Sequence, residues 1–356
     1  MKVYVLAFLV ACGGPAARPV QPQSPHTLEA GVPAGDVGAR LRTAVDQMDA
    51  GQLTEAVAAL EKLNKEHPNS ALVLHELGLS YRLLKQPAKA VALWMPYRDA
   101  LPVETLAGLA SALDEDGKTA EAQDFLRKEI AKHPKDGILY SELATSLKGK
   151  PQEQLALYMQ AIDVDPAFPA AYMHVADMLS ESSNRGVSLI FGETFRVLEP
   201  TSERSITVGE MMVKVCKEAV TLEKGKKGSA KINLASSTIE ITKGSTELPV
   251  VNQFEMAFGP GLAAAHMSGL SLKSLHAARV TMVELLNGPV KDSLLGKTPI
   301  MRWLRALAAA GHLEAYDYWL FGPGMPDEAK AWFTSHNAEA EAMAKYIIEH
   351  PLFPSK

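Results

Sequence analysis

Chemistry in this chain would have to come from two thiols, ten imidazoles and one lysine-rich turn. Cys216 lies in an apolar helical run beside Val215, where a cysteine serves as core packing, and the sequence places no base near it to raise a nucleophile. The histidines are dispersed. His266 and His276 stand ten apart without a matching carboxylate arrangement, and His-Glu-x-x-His is absent, so no metal site is expected. Gly225-Lys226-Lys227-Gly228-Ser229 has the residue types of a phosphate loop in the wrong order, since Gly-Lys-Ser must close such a loop after a strand; it reads as a solvated basic turn. Gly-x-Ser-x-Gly is also absent, and the small-residue clusters at Gly259-Pro260-Gly261 and Ser268-Gly269 read as turns. No catalytic constellation and no cofactor are expected.

Cys12 is the thiol with a context. Met1-Lys2 supplies a positive start, Val3 to Val10 is apolar, and small residues follow, which is the form of a secretory signal. Leu9-Val10-Ala11-Cys12 resembles the lipobox of bacterial lipoproteins. That resemblance implies a signal peptide over 1–11, diacylglycerol on the Cys12 thiol, and acylation of the new amine after cleavage. Each methylene buried in the bilayer adds about 0.8 kcal/mol to such an anchor. The alternative is a short hydrophobic start with an incidental cysteine. Residues 12–38, rich in Pro, Gly and Ala, cannot bury enough surface to offset ordering and read as a flexible tether. In the lipoprotein family Asp after the cysteine often retains the product at the inner membrane. Here Gly13 follows, which implies an outer-membrane location facing the periplasm if the host has two membranes.

The elements behind these groups repeat. Pro68, Pro102, Pro134, Pro166 and Pro200 are spaced by 34, 32, 32 and 34 residues. Small and large apolar positions keep phase with the prolines. The second unit has Leu74, Leu77-Gly78, Tyr81, Ala90, Trp94 and Pro102; the third has Leu106, Leu109-Ala110, Leu113, Gly117, Ala122, Leu126 and Pro134. The first offers Gly51, Ala56, Leu60 and Pro68 after a weaker helix at about 39–48. The fourth has Tyr140, Leu143-Ala144, Leu147, Tyr158, Ala161 and Pro166, with Gln154 at a usually small position. The fifth has Tyr172, Val175-Ala176, Leu179, Phe195 and Pro200, with Ser188 and Gly192 departing from the pattern. This period and pattern resemble the tetratricopeptide family. The small residues let two helices cross closely, and each proline ends the second helix of a hairpin.

The fold class expected is therefore mainly α: a tetratricopeptide-repeat α-solenoid of about five helical hairpins over 39–200, then an α+β C-terminal region over 201–356. Past Pro200 the period is lost. Val208 to Leu222 reads as a helix. Residues 229 to 258 alternate at Ile232 and Leu234 and at Ile239 and Ile241, followed by Val250-Val251 and Phe254-Met256-Phe258, which predicts a small β-hairpin or meander. Helices are expected again at Leu270–Leu286, at 300–310, at 313–321, and from Pro326 to about His350 as a cap.

The family resemblance also implies a concave groove lined by the first helix of each hairpin. Carried onto this chain, its residues are His75, Leu79 and Arg82, then Ser111, Asp114 and Glu115, then Ser141, Thr145 and Lys148, and finally Met173, Asp177 and Glu181. The Lys-Asn pattern that clamps a C-terminal carboxylate in chaperone adaptors is missing. Composition limits the rest. Hydrophobic residues at 47% with 22% charged residues indicate a packed chain, and a net charge of −5 gives no support for nucleic-acid binding. Residues 41–200 carry 16 basic and 23 acidic side chains, whereas 201–356 carry 17 and 16, so the repeats are the acidic part. The function expected is a non-catalytic, membrane-anchored scaffold that binds a protein or peptide, with no nucleic acid, in the bacterial envelope. Relatives of this layout assist outer-membrane, pilus or secretin assembly. The alternative is an enzyme or ligand-binding domain in 201–356 with the repeats as its docking arm.

Overall fold

The chain folds into helices whose ends are written in its glycines, prolines and small polar residues. The structure, a computed structural model, describes residue 28 and residues 36–182, 185–222, 230–232 and 250–354. The signal segment, Cys12, nearly all of the tether, the basic turn at 225–229 and the alternation at Ile239 and Ile241 lie outside the described residues. Two compact units divide at Ala112 and Leu113.

The first unit holds α1 (Asp36–Asp49), α2 (Leu53–Glu66), α3 (Ala71–Leu83), α4 (Pro87–Trp94) and most of α5 (Val103–Glu115). α1 begins at Asp36, so the last residues assigned to the tether are its first turn. Trp94 is fully buried and its Nε1 donates to the Leu74 carbonyl at 2.7 Å. A Cβ on Gly78 would overlap the Trp94 ring, so glycine is what lets α3 and α4 close on the indole. The turns between paired helices share one design. In each, one residue at positive φ (Gly51 at 75°, Lys85 at 59°) donates three residues back, and the next residue donates five back. These paired bonds form a Schellman turn and satisfy carbonyls that the helix end would leave open.

In the second unit, α6 (Thr119–Lys132), α7 (Gly137–Ser146), α8 (Pro151–Val164), α9 (Pro169–Ser180) and α10 (Arg185–Leu198) continue the pairing. Gly117, with φ 81°, repeats the same Schellman turn before α6. Tyr140 and Tyr172 each donate to a proline carbonyl six residues earlier, Pro134 and Pro166, at 3.1 and 2.9 Å. Gln154, where a small residue is usual, instead donates to the Ala144 carbonyl at 3.2 Å. The departure at Gly192 is explained by a third helix: a Cβ there would stand 3.1 Å from Met212 and 3.2 Å from Val208.

Those two residues belong to α11 (Glu203–Glu218), which corrects the reading that the period ends at Pro200. Ser202 caps α11 by accepting from the Ser205 amide at 3.1 Å, as Ser70 caps α3 by accepting from Val73, and each serine stands two residues after its proline. α11 packs on both α9 and α10, taking the place of a further first helix. It stops at Glu218, not Leu222; Val220–Leu222 is a short strand, β1, antiparallel to β2 (Ala230–Ile232), with Val220 opposite Ile232.

Of the meander expected across 229–258, the described residues give the short strand β2 and then, from Val250, a helix. Val250–Ser268 is α12, and it includes Phe254, Met256 and Phe258 as well as the supposed turn at Gly259-Pro260-Gly261. Burial decided this: Phe254, Ala257, Phe258 and Leu262 are buried at helical spacing. Gly261 is where α12 meets α13 (Leu272–Asn287), since a Cβ would lie 2.8 Å from the Ala278 Cα. α14 (Pro299–Ala309) and α15 (Leu313–Phe321) are joined through Gly311 at φ 85° by the Schellman turn of the repeats. The expected single cap helix is two, α16 (Pro326–Ser335) and α17 (Asn337–Glu349). One core runs from Tyr172 through Phe195, Met212, Phe258, Met282, Leu304 and Tyr316 to Met343, so the last hairpin and the C-terminal helices are packed as one body.

Candidate functional site

The first helix of each hairpin exposes a face whose side chains are fixed by the turns around it. On the first unit, His75 is half-buried with Nδ1 2.9 Å from the Thr105 hydroxyl, and Leu79 and Arg82 are partly exposed beside it. Ser111 donates back to the Ala107 carbonyl at 3.0 Å.

On the second unit the expected residues divide. Asp114 accepts from Thr119 and, at 3.1 Å, from Lys148. Partial burial would raise its carboxyl, but these two donors outweigh that and hold it below the ordinary carboxylate range. Asp114 and Lys148 thus answer each other. Thr145 is exposed, with its hydroxyl 3.0 Å from Tyr158, whose ring stacks on His174 at 4.7 Å. Ser141 was expected on the open face and is buried; its carbonyl accepts from Thr145. Met173 is half-buried against the core. Asp177 and Glu181 are exposed, and they stand together at the mouth of a cleft.

The hairpins, their recurring turn and a buried tryptophan against glycine make a repeat geometry, and residues 39–70 match the family described as "Tetratricopeptide repeat". The match covers one hairpin, α1 and α2. Among curated proteins none matches the sequence. Solved structures with similar stretches include PilF of Pseudomonas aeruginosa, at 17% identity over 51% of this chain and 84% of that one, with a TM-score of 0.38. PilW, a type IV pilus biogenesis factor, is 18% identical over 52% of this chain and 89% of its own, at 0.39. MamA from Desulfovibrio magneticus is 16% identical over 46% and 96%, at 0.33. At these values nothing about function follows from the likeness.

The cleft lies between repeat helix α9 and α11 and measures about 190 Å³. Asp177, Ser180 and Glu181 line one side; Met211, Lys214, Val215 and Glu218 line the other. Lys214 donates to Glu181 at 2.6 Å, which holds that carboxyl below its ordinary value, and Arg185 pairs with Glu218 at 3.5 Å. The α11 residues were missed by the sequence reading. The available signal was spacing: Lys214 follows Glu181 by 33 residues as Lys148 follows Asp114 by 34.

A second polar group lies deeper in the same unit. Arg279 of α13 donates to both Glu193 oxygens, one at 2.9 Å, and through Nε to Asp317 at 3.1 Å. Tyr316 donates to Glu193 at 2.9 Å, and His276 Nδ1 stands 2.8 Å from the other Asp317 oxygen. The side chains of Arg279, Glu193 and Asp317 are 1–3% exposed, against 21% for His276. Burial alone would lower the Arg279 guanidinium; the two carboxylates reverse that and keep it charged. Nearby, Arg196 has no carboxylate partner among the described residues, donates to the Leu320 carbonyl and lies 4.4 Å over the Trp319 ring, and burial pushes it down to about 10. Each member of the Arg279 cluster is occupied by another, which is the form of a structural network and not of an open site. Cys216 is buried and pushed up to about 12 by burial, the state of a core thiol. No group of three or more His, Cys, Asp or Glu suited to a metal occurs among the described residues, and no described helix is long and apolar enough to cross a membrane.

Proposed function

We propose that the protein is a lipid-anchored scaffold of the bacterial envelope that binds a protein segment along the exposed faces of its repeat helices, acting by capture and not by catalysis. The observation that carries this reading is the cleft between α9 and α11, where two first-type helices leave room for a side chain beside Asp177 and Glu181. Repeat arrays bind through such faces because each unit adds a similar surface to the next. The Arg279 cluster offers the reading of 201–356 as an enzyme no open site, since Arg279, Asp317 and Tyr316 spend their hydrogen bonds on one another and on Glu193 of α10. Anchoring rests on Leu9-Val10-Ala11-Cys12 and the Pro/Gly/Ala-rich stretch after it, which would let the repeats reach partners away from the bilayer. On this reading the anchor faces the periplasm from the outer membrane.

Two experiments test it. Reversing Asp177 and Glu181 together to Lys is expected to weaken partner capture in pulldowns while the melting temperature stays nearly constant, since exposed substitutions typically cost within about 0.5 kcal/mol. Reversing Lys224 and Lys227 is the control. Loss of capture only in the control would move the binding surface away from the repeats. Separately, Cys12→Ala is expected to release the protein from the membrane fraction or block its processing; equal retention with unchanged mass removes the anchor.

A further inference from the structure

We infer that the cleft between α9 and α11 receives one lysine or arginine side chain from an extended, basic segment of the partner; this rests on the scaffold reading above. Size is the first reason. At about 190 Å³ the cleft is smaller than the roughly 300–1,000 Å³ of small-molecule pockets, and suits a single side chain. Its chemistry is the second. Met211 and the buried Val215 give an apolar wall, while Asp177, Glu181 and Glu218 stand around the mouth. A side chain with an aliphatic stem and a cationic tip matches that order, because the stem covers apolar surface while the head stays with the carboxylates and water.

Charge decides the sign of the guest. Glu181 is engaged by Lys214 and Glu218 by Arg185, which leaves the Asp177 carboxylate with no hydrogen bond or ion pair among the described residues. Three carboxylates facing two bases leave one negative charge uncompensated at the rim. A cation entering there completes the set. A carboxylate would meet like charge, which costs affinity and rejects wrong partners. Because Lys214 and Arg185 are already tied to opposite walls of the cleft, the guest does not have to displace either of them.

The test uses the full chain and a short Ala/Gln peptide whose centre is Val-Lys-Val, Val-Glu-Val or Val-norleucine-Val, each labelled and followed by fluorescence anisotropy. The lysine peptide is expected to bind at least about tenfold more tightly than the other two, and Asp177→Lys is expected to erase that preference. Glu349→Lys, on exposed α17, is the charge control and leaves it intact. Equal binding of the three peptides, preference for glutamate, or no binding by any of them overturns the inference. The scaffold reading is scored separately, by placing a photocrosslinking amino acid at Met211, at Thr145 and at Leu79 in the native envelope. Adducts at partner residues next to Lys or Arg support both readings. Adducts elsewhere in a partner, from Met211, overturn the basic guest and keep the scaffold. No adduct from any of the three positions removes the scaffold itself.

Discussion

The hairpins between Asp36 and Ser180 and the helices from Arg185 onward are held together by different physics. In the hairpins the decisive contacts are local and repeated: a Schellman turn, a small residue under a large one, a tyrosine bonded six residues back. Their partners stand near each other in sequence, so shape and backbone hydrogen bonding specify each joint almost independently of the others. In the C-terminal helices one large core surrounds a buried ionic cluster whose members are 86, 38 and 41 residues apart. The first kind of joint tolerates variation in any single unit. The second is a shared object: removing one member strands the rest.

The largest expected effect follows from that. Arg279→Met leaves the Glu193 and Asp317 carboxylates buried without their cation, and is expected to destabilise the second unit by about 3–5 kcal/mol in chemical denaturation. Replacing all three charges at once, with Glu193→Gln and Asp317→Asn added, should recover part of the loss. If Arg279→Met melts like an exposed substitution, the cluster is no keystone and the contrast with the hairpins fails.

Next comes the best-formed hairpin. Gly78→Leu drives a side chain into the Trp94 ring and is expected to cost about 1–3 kcal/mol or more, as overpacking does. Loss of Trp94 fluorescence shift at lower denaturant, with the C-terminal core unchanged, would show that the joints are independent.

The cluster also carries a pH dependence of its own. Burial pushes the His276 imidazolium down, but its bond to Asp317 and the charges of Asp317 and Glu314 outweigh this, against opposition from Arg279, so its pKa stands above the ordinary value. Protonated His276 therefore contributes stability that is fully present below the unfolded-state pKa of about 6.5 and is lost as pH rises through the raised folded value. Denaturation curves across pH 5–8 should show this slope in the parent and a flatter one in His276→Gln. An unchanged slope would place the titration elsewhere.

The smallest effects belong to the turns. Gly117→Ala places a Cβ at φ 81° and is expected to cost about 1 kcal/mol, the left-handed penalty for an L residue. Lys85 already stands at φ 59°, so Lys85→Gly should change stability in the opposite direction by a few tenths of a kcal/mol, because glycine's entropy offsets part of the relief. Opposite signs at two equivalent turns, read from melting midpoints, would confirm that one backbone shape serves both.

These contrasts also mark what was readable. The prolines, Gly51, Gly78, Ala90, Trp94 and Gly117 identified the hairpins because a helix period, a stop and a close crossing each leave a residue type at a fixed offset. Asp177 and Glu181 were legible as exposed positions on a first helix, but their companions Met211, Lys214 and Glu218 were not, since the repeat pattern fades after Pro200 while α11 still occupies a repeat position. Val250 to Phe258 was misread as strand because a short apolar run shows both periods; only burial against α13 separates them. Ser141 is assigned to the open face by offset alone, and on α7 it is buried.

By itself the sequence determined the helical class, the period and most hairpin boundaries, because these follow from interactions between residues fewer than about 34 apart, the repeat length. Only the tertiary structure decided that Arg279 meets both Glu193 and Asp317, that α11 completes a cleft with α9, and that α12 is a helix. The reason is physical: a buried charge or an ambiguous apolar run has no preferred state until distant elements desolvate it and supply its partners.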